Sequence, residues 1–413
     1  MSASQFDVAV IGAGPSGAVA SALLNKRGFK VCVLEKQHFP RFVIGESLLP
    51  HCMEMLEEAG FADAVHAEPS FQFKNGAAFS WGSRYTEFDF TDKFSDGPGT
   101  VYQVRRGIFD KILIDEAAKQ GVEVRFGHGV TAFDNSGDLA RLSVEADTGE
   151  SYELTAKFVL DASGYGRVLP RLLDLETPSH LPPRQAHFTH IDDNITHPKF
   201  DRSKILITTH PQHRDVWIWL IPFGDNRCSI GVVGTPDVLA GESETVLKKF
   251  VYECPILKEI LDKAVWENDF PFRSIQGYSA NVKSLHGKHF ALLGNAAEFL
   301  DPVFSSGVTI ALHSAKLAAD LLAKQLEGNA VDWDAEFAKP LMIGVNAFRT
   351  YVDGWYDFRF QNAIYAPNRS PEISRMISSI LAGYAWDTEN PFVAKSEQRL
   401  SALAALVGDV KVE

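Results

Sequence analysis

Cysteine is scarce in this sequence. The 413 residues include four cysteines, with no Cys-x-x-Cys pair and no histidine cluster at the spacing of a metal site. They are Cys32, Cys52, Cys228 and Cys254. We therefore predict free buried thiols in a reducing compartment and no bound metal.

Long apolar runs and targeting signals are missing as well. No stretch of about 18 uninterrupted apolar residues occurs, which argues against a transmembrane helix. The first apolar run, Phe6–Ile11, has no basic region before it and is followed at once by glycines. That pattern predicts a strand and not a signal peptide, so we expect a cytoplasmic protein.

Basic residues are fewer than acidic residues. There are 40 lysines and arginines against 53 aspartates and glutamates, a formal net charge of −13. Nucleic acids and anionic membranes would be repelled by such a field, so neither is expected as a partner. A neutral aromatic substrate is not excluded. The hydrophobic share of 45% is enough for a large core, and the length is that of two to three domains.

The amino-terminal region predicts a β-α-β unit. Apolar strands are expected at Phe6–Ile11 and Lys30–Leu34, on either side of a helix at Ala18–Arg27 that Gly28 ends. A glycine turn lies between the first strand and the helix. This is the usual context of a dinucleotide site.

The glycine turn Gly12–Gly17 fits the pattern G-x-G-x-x-G, with Pro15 and Ser16 inside it. Gly12 permits the tight turn, Gly14 removes the Cβ that would block a pyrophosphate, and Gly17 lets helix and strand approach. Glu35 follows the second strand, where a carboxylate binds ribose hydroxyls. The motif alone does not distinguish NAD from FAD.

Alternating apolar patterns predict two further groups of strands, and helices follow them. The first group is read as antiparallel: Val122–Phe133, Leu139–Ala146 and Tyr152–Leu160. The second contains Gln185–Ile191, Lys204–Thr209, Val216–Phe223 and Cys228–Gly234, and a short strand is expected at His289–Leu293. Helices are predicted at Glu242–Lys263 and Ser305–Leu326.

No strand pattern occurs after Trp333. Aromatic and apolar residues recur there at helical spacing: Phe348, Tyr351, Val352, Trp355 and Phe358. We interpret them as one core-facing stripe and not as a ligand site.

Three more motifs resemble those of FAD enzymes of the glutathione-reductase type. Asp161-Ala162-Ser163-Gly164 follows a long apolar strand, like their second dinucleotide motif. Gly294-Asn295-Ala296-Ala297 and then Asp301-Pro302 resemble the third, with Asn295 where an aspartate is usual. Gln103-Val104-Arg105-Arg106 also matches, and the resemblance places Arg106 against the cofactor. FAD is therefore the expected cofactor.

The predicted fold is α/β (α+β): a Rossmann-like FAD-binding fold of glutathione-reductase type, an antiparallel-sheet substrate domain and a C-terminal helical region. We assign the discontinuous FAD-binding domain to residues 1–80, 100–175 and 285–330. The substrate-binding sheet takes 81–99 and 176–284, and the helical region takes 331–413.

Two motifs resemble signatures of the flavin-dependent halogenase family. Trp217-Ile218-Trp219-Leu220-Ile221-Pro222 fits W-x-W-x-I-P, and strand periodicity puts the two indoles on one face. Phe299 to Gly307 fits F-x-x-P-x-x-S-x-G at the start of a helix, where free amides favour an anion. The resemblance implies that the tryptophans keep substrate from the flavin and that Ser306 and Gly307 bind halide.

The segment Arg41–Pro50 resembles the strap that links the flavin and halide sites in this family. The resemblance implies cofactor contacts from Arg41, Gly45, Glu46 and Ser47. Phe71 to Ala77 resembles the segment with the active-site lysine, which here is Lys74. By spacing alone, a lysine on a short strand is usually a solvated charge. With the resemblance, we interpret Lys74, Ser305, Trp217 and Trp219 as the catalytic set.

The resemblance also implies a reaction. Reduced FAD and O2 form a C4a-hydroperoxide, halide (chloride or bromide) attacks it, and the hypohalous acid halogenates an electron-rich ring. Lys74 either polarises that acid by a hydrogen bond or reacts with it to form a haloamine, and the sequence leaves both open. No NADPH-binding domain is evident, so a separate NAD(P)H-dependent flavin reductase is expected as partner.

Phe304 is an informative departure. Tryptophan halogenases carry a glutamate at the matching position, which helps to remove the ring proton. Without it, the substrate is expected to be a self-activating phenol or pyrrole, free or tethered to a carrier protein. His187, His190 and His313 are left without a role, since structural histidines are common.

Three other functions are compatible with the FAD motifs. An aromatic flavin monooxygenase and a geranylgeranyl-reductase-like FAD oxidoreductase share these motifs, and a flavin-binding carrier or sensor would have no turnover. The monooxygenase and reductase chemistries do not require Lys74 or the Trp217–Trp219 pair, so these residues discriminate between them and a halogenase.

Overall fold

The computed structural model describes residues 4–179, 181–277 and 281–411. The remaining residues of the predicted domains lie outside the described ranges. The strands are β1 (Ser4–Ile11), β2 (Val31–Glu35), β3 (Gln72–Lys74), β4 (Gly76–Trp81), β5 (Arg84–Asp89), β6 (Val101–Gln103), β7 (Glu123–Phe126), β8 (His128–Asp134), β9 (Ala140–Ala146), β10 (Ser151–Asp161), β11 (Glu176–Thr177), β12 (Gln185–Asp192), β13 (Lys204–Thr209), β14 (Trp217–Pro222), β15 (Arg227–Gly234), β16 (Arg273–Gln276), β17 (Asn281–Val282), β18 (His286–Gly287) and β19 (Phe290–Leu292).

The α-helices are α1 (Pro15–Lys26), α2 (Cys52–Ala59), α3 (Ala62–His66), α4 (Arg106–Lys119), α5 (Val168–Leu172), α6 (Ser243–Tyr252), α7 (Pro255–Ile260), α8 (Ser306–Leu326), α9 (Lys339–Tyr356), α10 (Arg359–Tyr365), α11 (Pro371–Leu381), α12 (Pro391–Ala394) and α13 (Ser396–Val407). Short 3₁₀ turns lie at Gly164–Gly166, Gly294–Ala296 and Pro302–Phe304, and a π-helical turn at Asp334–Ala338 leads into α9.

The first sheet has a parallel centre, in the order β19-β10-β1-β2-β7. The carboxyl ends of β1, β10 and β19 are in register, with Ile11 opposite Asp161 and Asp161 opposite Leu292. The loops after these three strands therefore meet at one edge. In an α/β sheet this edge is where a dinucleotide binds.

The second sheet has the order β16-β12-β15-β14-β13-β4-β5 and is antiparallel except for the parallel pair β13–β4. Its strands β12 to β15 are almost wholly buried. Helices α6 and α7 cover one face of the sheet, and the main hydrophobic core covers the other. The predicted fold class is confirmed. β4 lies in this sheet although its residues were assigned to the FAD-binding part, and the domain boundaries stay a prediction.

Two predicted elements are each broken in two. Val122–Phe133 was predicted as one antiparallel strand, but Gly127 turns the chain at a φ of +77°. β7 before it runs parallel to β2, and β8 after it pairs with β9. The predicted helix Glu242–Lys263 is divided into α6 and α7, because Pro255 cannot donate a helical hydrogen bond and starts a new helix.

The C-terminal helices confirm most of the predicted aromatic stripe. Phe348, Tyr351, Val352 and Trp355 are buried on α9 in the main core. Phe358 was wrongly placed on the same face: α9 ends at Tyr356, and Phe358 takes a φ of +72° before α10. A periodic pattern does not reveal that the backbone reverses its direction there.

All four cysteines are buried and unpaired. Across the described ranges, the helices are all too short or too polar to pass through a lipid bilayer.

Candidate active site

The glycine loop joins β1 to α1 at the edge where the parallel strands end. Gly12 has a φ of +98°, and a Cβ there would lie 2.6 Å from the carbonyl oxygen of Ala162. A Cβ on Gly17 would lie 2.0 Å from the carbonyl oxygen of Gly12. Both glycines are therefore required by close backbone approach, as the sequence predicted.

Gly14 has a different environment. A Cβ there would meet only Nη2 of Arg41, at 3.6 Å. Pro15 is the first residue of α1, and Ser16 is buried. The amides of a first helical turn have no partner within the helix, so those of α1 are available beside Gly14. An open cradle with free amides and a guanidinium suits a pyrophosphate. The residues present thus fit the predicted FAD.

Glu35 ends β2 beside the glycine loop. One carboxylate oxygen accepts a hydrogen bond from the Ala13 amide at 2.8 Å, and the other accepts from the Gln37 amide at 2.9 Å. These contacts hold the carboxylate at the position predicted for ribose recognition.

The strap is held by two arginines that share one carboxylate. Arg41 and Arg106 both donate to Asp110, and Arg106 also donates to the carbonyl oxygens of Ile44 and Gly45. Gly45 has a φ of +107°, and a Cβ there would lie 2.9 Å from Nη1 of Arg106. Arg106 therefore fixes the strap, and Arg41 reaches on to the phosphate cradle.

The loops after β10 and β19 complete the cofactor edge. Both carboxylate oxygens of Asp161 accept backbone amides of its own loop, from Ser163 at 2.9 Å and Leu169 at 2.7 Å. The structure thus gives Asp161 a loop-holding role, and its predicted contact with the cofactor stays a prediction. Gly294 has a φ of +52° and packs against α8, and Asn295 lies beside Gly307.

Lys74 reaches the strap because one strand pairs with both segments. β6 pairs with β3, where Lys74 lies opposite Val101. On its other side, β6 receives the strap through the Ser47–Gln103 bridge and the hydrogen bond from the Val104 amide to the Glu46 carbonyl oxygen. Glu46 and Ser47 are both buried.

The amine of Lys74 is buried, with an exposed fraction of 0%. It donates hydrogen bonds to Oγ of Ser47 at 2.8 Å and to the carbonyl oxygen of Leu48 at 2.7 Å, and it lies 5.5 Å from the Phe90 ring centre. Burial lowers the pKa of Lys74 to about 7. Among the residues that the structure describes, no carboxylate forms an ion pair with the amine to offset this effect. The solvated-charge reading is therefore wrong.

Trp217 and Trp219 lie on one face of β14, with ring centres 5.9 Å apart. The Trp219 indole lies over Gly231, where a Cβ would come within 2.2 Å of it, and its Nε1 donates to Oγ of Ser229 at 3.0 Å. Both rings are buried. The pair therefore forms a fixed wall.

A chain of hydrogen bonds joins this wall to the loop of residues 299–305, which precedes α8. Nε1 of Trp217 donates to the Tyr356 hydroxyl at 3.0 Å, and that hydroxyl donates to Oδ2 of Asp301 at 2.9 Å. Oδ1 of Asp301 accepts the Val303 amide, which caps the turn that Pro302 begins. Burial raises the pKa of Asp301 to about 6. Tyr356 had no signal in the sequence, because it lies on a helix interpreted only as core.

The loop of residues 299–305 ends at α8. Ser305 takes a φ of +56° before the helix, and Ser306 is buried in its first turn. Within the described chain, no hydrogen bond engages the amides of Ser306 and Gly307. A Cβ on Gly307 would meet only Phe299 at 3.6 Å and Asn295 at 3.9 Å, so the chain is loosely packed around Gly307. Small anions bind well to such amides.

Comparisons with known proteins agree with this geometry. The FAD binding domain family matches residues 5–336 of the chain. A 1H-pyrrole-2-carbonyl-[peptidyl-carrier protein] chlorinase of Pseudomonas fluorescens is 30% identical over 385 residues, which cover 87% of this chain and 83% of that protein. The chain belongs to the flavin-dependent halogenases.

Solved structures of related proteins share the fold. A flavoprotein/dehydrogenase from Cytophaga hutchinsonii is 45% identical, with a TM-score of 0.92 over 97% of this chain and 98% of that one. The flavin-dependent halogenase CmlS is 27% identical, with a TM-score of 0.76 over 98% of this chain and 77% of that one. The predicted halogenase family, FAD and the halide and O2 cosubstrates are confirmed for this flavin-dependent halogenase.

Phe304 of this halogenase packs edge-on against Trp355 and Phe360 and is buried. Position 304 therefore supplies no carboxylate. A contact that sequence reasoning missed lies nearby on the strap: Nε2 of His190 lies 2.7 Å from Oε1 of Glu46, and both side chains are buried. His190 is thereby a structural partner of the strap.

Proposed function

We propose that this halogenase chlorinates or brominates an electron-rich phenol or pyrrole, with Lys74 as the residue that carries the halogen. The observation that supports this most is the buried Lys74 amine, held against the strap by Ser47 and Leu48 without a carboxylate partner. The relative from Pseudomonas fluorescens, named a chlorinase of a pyrrole-2-carbonyl carrier protein, supports the pyrrole class and a tethered substrate.

The chain's own residues would divide the work. The amides of Ser306 and Gly307 bind halide, and Trp217 and Trp219 keep the arene away from the flavin. When bound, reduced FAD with O2 supplies the two-electron oxidation that turns halide into hypohalous acid. Among the described segments outside the FAD fold, we assign none to the binding of NAD(P)H. A separate flavin reductase would therefore supply the reduced cofactor.

Lys74 acts best as a free amine. With its pKa near 7 and no anion beside it, a large fraction is neutral and nucleophilic at physiological pH. Its nitrogen takes the halogen from hypohalous acid, forming an N–X bond and releasing water. The ring carbon then takes the halogen from nitrogen, the ring proton is lost, and the amine is restored. A phenol or pyrrole activates its own ring, so no carboxylate at Phe304 is needed.

The pH dependence of halogenation tests this choice. If the free amine reacts, the rate of halogenation per hypohalous acid formed rises with pH through about 7, since protonation of Lys74 removes the nucleophile below that value. Polarisation by the ammonium group predicts the opposite slope. The measurement is product yield per peroxide equivalent between pH 5.5 and 8.5. A yield that falls across that interval would reject the free-amine role.

Gly307→Ala tests the halide site. The new methyl group would enter the space before the amides without touching the backbone, so FAD affinity stays as in the wild type. We expect the KM for bromide to rise by about 10-fold or more, because one methyl group displaces the anion from its donors. Halide titration of product formation measures it. An unchanged bromide KM would place the halide elsewhere.

The overall test uses purified protein, a flavin reductase, FAD, O2 and bromide with a panel of phenols and pyrroles. The halogen isotope pattern in the product mass spectrum identifies halogenation. Halide-independent hydroxylation would support the monooxygenase reading, and halide-independent oxidation of an added substrate would support a dehydrogenase like the one from Cytophaga hutchinsonii.

A further inference from the structure

Tyr356 is the last residue of α9, and its hydroxyl joins two segments of the candidate site. The hydroxyl accepts a hydrogen bond from Nε1 of Trp217 at 3.0 Å and donates one to Oδ2 of Asp301 at 2.9 Å. Trp217 belongs to the tryptophan wall on β14, and Asp301 belongs to the loop of residues 299–305. A residue of the C-terminal helical region therefore links the two segments that the halogenase motifs identified.

The two carboxylate oxygens of Asp301 have different partners. Oδ1 accepts the Val303 amide at 3.0 Å and so caps the turn that Pro302 begins, while Oδ2 accepts the Tyr356 hydroxyl. Among the described residues, these are the only hydrogen bonds of this buried carboxylate. A rotation of the carboxylate would break both contacts. The Tyr356 hydroxyl therefore holds Asp301 in the orientation that caps the turn.

The capped turn leads into a backbone conformation that needs support. Ser305 has a φ of +56°, in the left-handed region that residues other than glycine seldom adopt. Such a residue persists only where its surroundings hold it. The Ser305 amide bonds to the carbonyl oxygen of Pro302 at 3.0 Å, within the capped turn, and α8 begins at the next residue, Ser306. The direction of the first amides of α8 therefore depends on the turn that Asp301 caps.

Tyr356 is also held by its ring. The guanidinium of Arg184 lies over this ring, 3.7 Å from its centre, and Arg184 is buried just before β12. Burial, together with the Asp301 carboxylate, raises the pKa of Tyr356 well above its ordinary value. The hydroxyl therefore keeps its proton and acts as the donor to Asp301. Segments from the second sheet, from α9 and from the loop before α8 all meet at this side chain.

We propose that Tyr356 is a positioning residue of the proposed halide site. Through Asp301, it holds the amides of Ser306 and Gly307 in the orientation that binds chloride or bromide. Through Trp217, it keeps these amides aligned with the tryptophan wall. The role rests on the proposed function, because it requires halide at these amides. It gives the C-terminal helices, whose aromatic residues the sequence indicates only as core, a part in the halide step.

The test is Tyr356→Phe, which keeps the ring under Arg184 and removes only the hydroxyl. Halide binding to the FAD-loaded protein is measured without turnover, from the width of the chloride NMR signal as bromide displaces bound chloride. We expect the dissociation constant for bromide to rise by about 5-fold or more, because the cap loses its anchor. In turnover, the KM for bromide should rise similarly, while kcat at saturating bromide stays within about twofold of the wild type.

Asp301→Asn tests whether the effect passes through the carboxylate. Asparagine keeps one oxygen for the Val303 amide, but its amide nitrogen cannot accept from the Tyr356 hydroxyl. In this background, Tyr356→Phe should change the bromide dissociation constant by less than about twofold, since the link is already broken. An effect of the same size in both backgrounds would mean that the two residues act independently, which refutes the proposed link.

Tyr351→Phe is the matched control. Tyr351 lies on the same helix, is buried, and donates its hydroxyl to the carbonyl oxygen of Phe392 at 2.6 Å. This variant also loses a hydrogen bond, so its melting temperature should fall, but its bromide binding should match that of the wild type. An equal rise in the bromide constant of both variants would show a merely structural effect and overturn the inference.

The outcomes separate this inference from the proposed function. Unchanged bromide binding in Tyr356→Phe, in a protein that forms halide-dependent products, overturns the positioning role alone. A wild type that forms no halide-dependent product overturns the proposed function.

Discussion

Lys74→Met is expected to reduce aromatic halogenation by at least about 100-fold while the enzyme still consumes reduced FAD and releases peroxide. Methionine fills a similar volume, but it has no amine to take the halogen or to bond Ser47 and Leu48. The flavin cradle is formed by other segments, so its chemistry should continue. Product mass spectrometry and peroxide assays measure the two quantities separately.

Lys204→Met is the matched control for this variant. Lys204 is also a buried lysine, on β13 beside β4, but it pairs with Asp201 at 2.6 Å. Its loss should leave the halogenation rate within about twofold of the wild type. Halogenation by Lys74→Met at the wild-type rate would show that Lys74 does not carry the halogen.

Lys74→Met is also expected to change how the stability of the protein depends on pH. Lys74 has a pKa of about 7 in the folded protein and about 10.4 when unfolded, so unfolding takes up a proton between these values. The wild type therefore loses stability as the pH falls from about 10 to about 7. The free energy of unfolding of Lys74→Met relative to that of the wild type should therefore increase by on the order of 2–4 kcal/mol as the pH falls from about 10 to about 7. Thermal unfolding at several pH values measures it.

Gly14→Ala is expected to weaken FAD binding by at least about 100-fold without destabilising the apoprotein. Gly14 has a φ of −69° and a ψ of −176°, which alanine adopts without strain. Its Cβ would meet only the flexible Arg41 side chain in the absence of cofactor. With cofactor, the methyl group occupies the approach of the pyrophosphate. Flavin fluorescence titration and apoprotein melting test the two halves.

Gly137→Ala serves as the control glycine, since the residue is exposed and a Cβ there would meet only the backbone of Leu139, at 3.6 Å and beyond. FAD affinity should not change in this variant. Wild-type FAD affinity in Gly14→Ala would contradict the placement of the pyrophosphate at this loop. A large loss of apoprotein stability would instead show that the loop is strained without cofactor.

The glycine loop and the W-x-W strand each lie within a few contiguous residues, so local backbone geometry determines their form and the sequence predicts it. Elements that depend on distant segments or on special backbone angles were predicted wrongly. Gly127 broke a predicted strand, and Phe358 left its predicted face, because a positive φ reverses the chain.

The partners of the site residues were also beyond sequence reasoning. Tyr356 bonds both Trp217 and Asp301 from the C-terminal helices, and His190 bonds Glu46 from the second sheet. No spacing rule links such residues, since tertiary packing alone brings them together.

The sequence by itself determined the cofactor class, the family and the identity of the candidate lysine, because these depend on short motifs. Only the tertiary structure decided that the Lys74 amine is buried against the strap through β6. The physical reason is that the pKa of a side chain depends on its surroundings. Those surroundings come from segments far apart in the chain.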